Sequence, residues 1–286
     1  MNRLFVCLIV AASLVATGAA AQQGPNTLGK IKAAKAINVA YSPDSLPFSF
    51  AEAGKDPAGY SIDLCKRVIA QIGRAVGEPN LKVNWIAGTT PERLQMVASG
   101  RADLECANTT QTLGRLASVD FSGLIFIDAS GFILRKDSAI NKFADMGGKK
   151  IAVLKGTTTE TRLKDALQRR LVNATVIPVD TGNQGIVLLE SGGADAYAGD
   201  KIKLVGLALL AKDPAKLSML AEELSYEPYA MALPRGDSAL RLEVNRALTQ
   251  VYIGGGIEAI FAQWLGSLGR PSGLLAAMYL LYSIPE

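Results

Sequence analysis

Histidine is absent from all 286 residues, and that one count removes a block of chemistry. No Ser-His-Asp or Cys-His nucleophile pair, no imidazole base and no histidine-ligated zinc or haem can be built from this chain. A catalyst made from it would rely on carboxylates, Lys, Tyr or Cys, with Asp44 and Glu105 the two carboxylates to test as a general acid. Other groups suit binding better. Gly156, Thr157 and Thr158 precede a helical stretch. The free N–H groups of a helix start, at the positive end of its dipole, form an anion site, although a plain threonine cap gives the same pattern. Asp200 closes a strand, where it serves either as a buried anion or as the cap of the next helix. Thr90 and Arg93 lie one turn apart at a helix start, and an arginine there opposes the helix dipole. Arg115, taken alone, reads as an exposed helix arginine.

The elements that must position these groups alternate. Strands are expected at Ile37 to Tyr41, Leu81 to Ala87 and Ala102 to Ala107, then around Phe132 to Leu134, Lys150 to Leu154, Thr175 to Val179, Ala194 to Ala198 and Tyr229 to Leu233. Helices are expected over Gly59 to Val76, from a Thr90 cap with Pro91 at the first helical position to Gly100, and over Thr159 to Leu171 and Asn183 to Ser191. Lys201 to Leu210, Ser238 to Tyr252 and Ile257 to Leu265 complete the set. Such alternation implies α/β sheets covered by helices on both faces. Leu274 to Tyr282 is an apolar tail too short to cross a membrane, expected on the surface of the body.

Residues 1–21 read as a secretory signal peptide: Arg3, an apolar stretch from Leu4 to Val15, and small residues at Ala19, Ala20 and Ala21. Cys7 lies within that stretch without a lipobox around it. Export places Cys65 and Cys106 in an oxidising compartment, where two cysteines pair as a disulfide or remain as two buried thiols. The formal charge of +4 is spread along the chain, and no basic run or aromatic-basic stripe suggests a nucleic-acid partner. Neither a metal nor a cofactor is expected.

Six strings occur in order: G-Y-S-I-D-L-C from Gly59, S-G-R-A-D-L-E-C-A-N-T-T from Ser99 followed by Arg115, D-F-S from Asp120, K-G-T-T-T-E from Lys155, E-S-G-G-A-D-A-Y-A-G-D from Glu190, and E-P-Y-A-M-A-L-P-R-G-D from Glu227. Together they resemble the family 3 solute-binding proteins of bacterial amino-acid ABC transporters. E-C-x-x-T-T and G-T-T-[ST]-E are most similar to the glutamate/aspartate binders, and the resemblance runs from about Leu28 to Leu265.

It implies a two-lobed periplasmic binding protein fold of type II with the ligand in the inter-lobe cleft. Lobe 1 would comprise residues 28–126 and 231–266, and lobe 2 residues 131–227, with 267–286 as a tail. Two crossing segments, Phe126 to Gly131 and Glu227 to Met231, would act as the hinge. The implied protein is a periplasmic monomer that closes on a polar L-amino acid and hands it to an inner-membrane ABC permease. In that frame Arg115 forks onto the α-carboxylate and Asp200 pairs with the α-ammonium. Asn108, Thr110, Thr157 and Thr158 complete the clamp, while Arg93 and Thr90 sit at the side-chain end. The chain departs from the glutamate/aspartate pattern at Ser42 and Gly182, where that pattern has an arginine and a histidine, and at Leu154, a position often polar. Two competing readings are a dehydratase-like enzyme on the same fold and a sensory ectodomain; the latter lacks an anchor after the signal.

Overall fold

The structure, a computed structural model, describes residues 26–285; the expected signal peptide lies outside them. Nine strands form one sheet: β1 (Ala36–Tyr41), β2 (Lys82–Ala87), β3 (Leu104–Cys106), β4 (Val119–Arg135), β5 (Lys150–Leu154), β6 (Thr175–Val179), β7 (Ala196–Asp200), β8 (Leu217–Met219) and β9 (Ser225–Pro234). Their order is β2-β1-β3-β9-β4-β7-β5-β6, with β8 on β4. β1 pairs parallel with β2 and β3, and β5 pairs parallel with β6 and β7. These two parallel triplets are joined through the antiparallel pair β4 and β9.

Each triplet carries its own core. On one side Ile37, Val39 and Leu104 pack against Ile62, Val68 and Ile72 of the Tyr60–Val76 helix and Val244 and Leu248 of the Ser238–Ile253 helix. On the other, Ile151, Val153 and Ala198 pack on Leu163 of the Thr158–Arg169 helix. Ala152 and Tyr197 cover the opposite face with Ile186 and Leu204. The chain therefore has the α/β sheet with helices on both faces expected from its alternation and the two-lobed fold that the resemblance implied.

The largest difference from expectation is β4. Only Phe132 to Leu134 stands out in sequence, yet the strand runs for 17 residues. Gly123, Asp128 and Ser130 interrupt its apolar pattern, but each polar group there finds a partner: Gly123 N donates to Asn245 Oδ1 at 2.8 Å, and Ser130 Oγ lies 2.7 Å from Ser225 Oγ. β9 is likewise longer than expected, with register shifts on either side of Ala230 that re-aim its side chains.

A second difference is the cap of the Thr90–Ala98 helix. Thr89, not Thr90, is the N-cap, because Glu92 reaches back to both the N–H and the hydroxyl of Thr89 at 2.8 Å. Thr90 is thereby left free to face inward. Cys65 and Cys106 form a disulfide that ties the Tyr60–Val76 helix to the end of β3. The apolar tail is a helix, Gly273–Leu281, seated by Leu275, Met278 and Tyr279, with Tyr279 Oη 2.8 Å from Tyr60 Oη. No helix among the described residues is long and apolar enough to cross a membrane.

Candidate functional site

The carboxyl ends of β1, β2 and β3 face those of β5, β6 and β7 across a cavity of about 280 Å³. Such an edge is where open α/β sheets place ligands, because loops and helix starts converge there. One wall is the Ser42 to Ser45 loop. It is anchored by Phe48, which packs edge-on against Phe126 and Tyr229 with ring centroids 5.0 and 5.2 Å away. The facing wall is the start of the Thr158–Arg169 helix and of the Lys201–Leu209 helix.

Arg115 enters from the Leu113–Leu116 helix and is held by Nη1, which donates to the Thr110 carbonyl at 2.7 Å. Burial draws its guanidinium somewhat below its usual range, while Glu105, Glu227 and Asp200 work to hold the charge. Among the described residues it has no ion-pair partner. Across the cavity, Thr157 caps its helix: its hydroxyl accepts from Glu160 N at 3.2 Å and donates to the Leu154 carbonyl at 2.7 Å. The N–H groups of Thr158 and Thr159 at that helix start have no acceptor among the described residues and point an anion site at the cavity. The hydroxyls of Thr110 and Thr158 both donate to buried Glu227, at 2.6 and 2.7 Å, so their single protons are committed within the protein.

Asp200 closes β7 and meets only neutral donors: Asn108 Nδ2 at 3.2 Å, Thr159 Oγ1 at 3.1 Å and Tyr229 Oη at 2.6 Å. Burial, then nearby Glu227, raises its pKa above the ordinary aspartate value. Behind it Tyr229 Oη also lies 3.3 Å from Asp128. Burial and the Asp200 charge push the Asp128 carboxyl up to about 8. A tyrosine has one hydroxyl proton, and Tyr229 shares it between Asp200 at 2.6 Å and Asp128 at 3.3 Å, the shorter contact taking the larger part, while Asp128 keeps its own proton. That arrangement lets the acids coexist.

Arg93 is 2% exposed although its side chain lines the cavity. Its Nε donates to Glu105 Oε1 at 2.8 Å, Nη1 to the Gly88 carbonyl, and Nη2 to Thr109 and Thr90. Glu105 also accepts from Thr109 at 2.6 Å, while its Oε2 has no protein partner among the described residues.

All eight expected ligand residues thus surround or line one cavity, but with unequal freedom: Arg115 and Asp200 keep their charges available, whereas Arg93 and the hydroxyls of Thr110, Thr157 and Thr158 are engaged. Four contributors went unread in the sequence. Glu227 and Tyr229 lie in a string that the sequence marks as a family motif, a strand and a crossing segment, without a role at the site. Asp44 stands out in sequence only as a candidate acid. Lys203 carried a signal of its own: it shares the buried stripe of its helix with Leu204 and Leu207, a place where a lysine needs a reason.

The chain matches the bacterial extracellular solute-binding proteins, family 3, over residues 37–267 and belongs to that family. It is 32% identical over 267 residues to an L-glutamate/L-aspartate-binding protein of Pseudomonas aeruginosa, covering 93% of this chain and 88% of that one. Among solved structures it superposes on the cysteine-binding protein of Campylobacter jejuni with a TM-score of 0.72 and 25% identity, over 85% of this chain and 94% of that one. It also superposes, at TM-score 0.72 and 26% identity, on an ancestral amino-acid-binding protein described as a precursor of cyclohexadienyl dehydratase, over 83% and 99%.

Proposed function

We propose that this protein is the periplasmic binding component of an amino-acid ABC transporter, closing on a polar L-amino acid and delivering it to a membrane permease. The observation that carries this is the charge arrangement of the cavity. Among the described residues, Arg93 pairs with Glu105 and Lys203 faces Asp44, leaving Arg115 without an ion-pair partner. Asp200 is the matching anion, surrounded by neutral donors. Arg115 beside a helix start and Asp200 are the complement of a zwitterion, with the carboxylate on Arg115 and the Thr158 and Thr159 N–H groups and the ammonium on Asp200.

The lobes in this reading are residues 28–126 with 231–266, and 131–227, turning about the crossing parts of β4 and β9. Side-chain contacts across the cleft, among them Asn108 to Asp200, Asp44 to Gly182 N and Lys203 to Ser45, belong to the closed form in this reading. The two carboxylates weighed for the catalytic reading are both engaged. Asp44 is held below the usual carboxylate range: burial works to raise it, but Lys203, the Gly182 N–H and Ser42 outweigh burial. Glu105 is tied to Arg93 and Thr109.

Calorimetric titration of the purified protein with the common L-amino acids tests the proposal. Binding of at least one, with the ligand recovered unchanged by mass spectrometry, is expected. Arg115→Ala and Asp200→Ala should each weaken it by about a hundredfold, the scale of losing one partner of an enclosed charge pair. Normal binding in both variants would overturn the site.

A further inference from the structure

Beyond the α-carbon clamp, the cavity holds a second charged pair that neither end of a bare zwitterion requires. Lys203 is 6% exposed, projecting from the first turn of its helix with Nζ 3.1 Å from Ser45 Oγ and 3.9 Å from Asp44 Oδ1. Asp44 Oδ2 accepts from Gly182 N at 3.0 Å and Oδ1 from Ser42 Oγ at 3.2 Å. Neither group is saturated. An ammonium has three donors, and among the described residues only Ser45 accepts from Nζ within hydrogen-bond distance. Each carboxylate oxygen has room for a second donor. Ser42 lines this end of the cavity beside Asp44, and the Gly182 N–H reaches Asp44 from the facing side.

We infer that Asp44 and Lys203 together read the ligand side chain and select a carboxamide over a carboxylate. This deepens the amino-acid reading above and rests on it. A carboxamide carries one acceptor and one donor pair on adjacent atoms. Its oxygen can accept from Lys203 Nζ while its NH₂ donates to Asp44. A side-chain carboxylate satisfies Lys203 equally well, but sets an acceptor against an ionised Asp44 that has no proton to give. That is a like-charge contact in an enclosed site, and selectivity by such repulsion needs no lost contact elsewhere. A cationic side chain meets the converse obstacle at Lys203. The electrostatic trends agree: burial draws Lys203 below the usual lysine range and Asp44 opposes this, so the pair sustains its own two charges.

The test is titration calorimetry of the purified protein with L-glutamine, L-asparagine, L-glutamate and L-aspartate, repeated with Asp44→Asn, Lys203→Met and Arg115→Ala. The better of the two amides should bind at least about tenfold more tightly than its acid, a factor worth 1.4 kcal/mol. Asp44→Asn should reduce that ratio by about tenfold by relieving the repulsion, and Lys203→Met should weaken the amide by a similar factor. Thermal melts without ligand confirm that each variant is folded, and if one is not, the other and the wild-type ratio decide. An acid bound as tightly as its amide, with binding abolished in Arg115→Ala, overturns this inference alone. An amide preference that survives unchanged in both folded variants also overturns it. Absence of binding by all four, or normal binding in Arg115→Ala, overturns the amino-acid reading and this inference with it.

Discussion

Glu105, in the middle of β3, sits against cavity-lining Arg93, and Asp200, at the end of β7, lines the cavity itself, yet they are carboxylates of different kinds. Glu105 is fully buried against the Arg93 guanidinium, and their charges cancel. Asp200 is held by an amide and two hydroxyls, each of which contributes a dipole and no charge. A pair that neutralises itself stabilises the lobe that contains it and has little left to offer a ligand. Asp200 has no ion-pair partner among the described residues, so its position at the cavity leaves it open to a ligand cation. Between these two carboxylates, the presence of a charged partner and a place on the cavity wall separate framework from site.

The greatest effect should come from Glu105→Ala. It strands a buried guanidinium, which costs about 3–5 kcal/mol of folding stability, measurable by urea unfolding. Unchanged stability with lost ligand binding would reverse the assignment and make Arg93 and Glu105 the site. Tyr229→Phe should follow, removing the strongest neutral donor to Asp200 and weakening ligand affinity about tenfold with the fold intact.

The smallest effect is a pH slope. Asp128 faces Asp200, the Tyr229 hydroxyl and the N–H groups of Ala129 and Ile202, and its carboxyl is pushed up to about 8 from an ordinary 3.8. The folded chain therefore keeps a proton that the unfolded chain has released. The stabilisation is complete below about pH 4 and is lost as pH rises through 8. Melting temperatures between pH 5 and 9 should fall more steeply in the wild type than in Asp128→Asn; parallel curves would remove Asp128 from the network.

Much of the fold was legible because its parallel strands and amphipathic helices follow simple periods. Tyr60–Val76, Lys150–Leu154 and Thr175–Val179 stand almost where the pattern placed them. The crossing strands escaped that logic. Their register and length depend on partners distant in the chain, such as Ser225 for Ser130, that satisfy polar residues which look like breaks. The site divides along the same line. Arg115, Asp200 and the Thr158 helix start were found through motifs resembling the family. Which of these groups stay free, and which are consumed by Glu227 or Glu105, is a matter of three-dimensional partners. Lys203 was the clearest missed signal, a cation on an apolar stripe.

The placement of Asp200 and Tyr229 against the crossing strands has a kinetic consequence. In the closing motion proposed above, points near the pivot travel least, so Asp200 would be in place whether the lobes are apart or together. Asp44 and Gly182, joined by a hydrogen bond, fall on opposite proposed lobes and would meet only at the end of the swing. An incoming molecule would thus be caught by its backbone first and judged by its side chain last. Arrival rates should be nearly uniform among α-amino acids, with discrimination residing in how long each one stays.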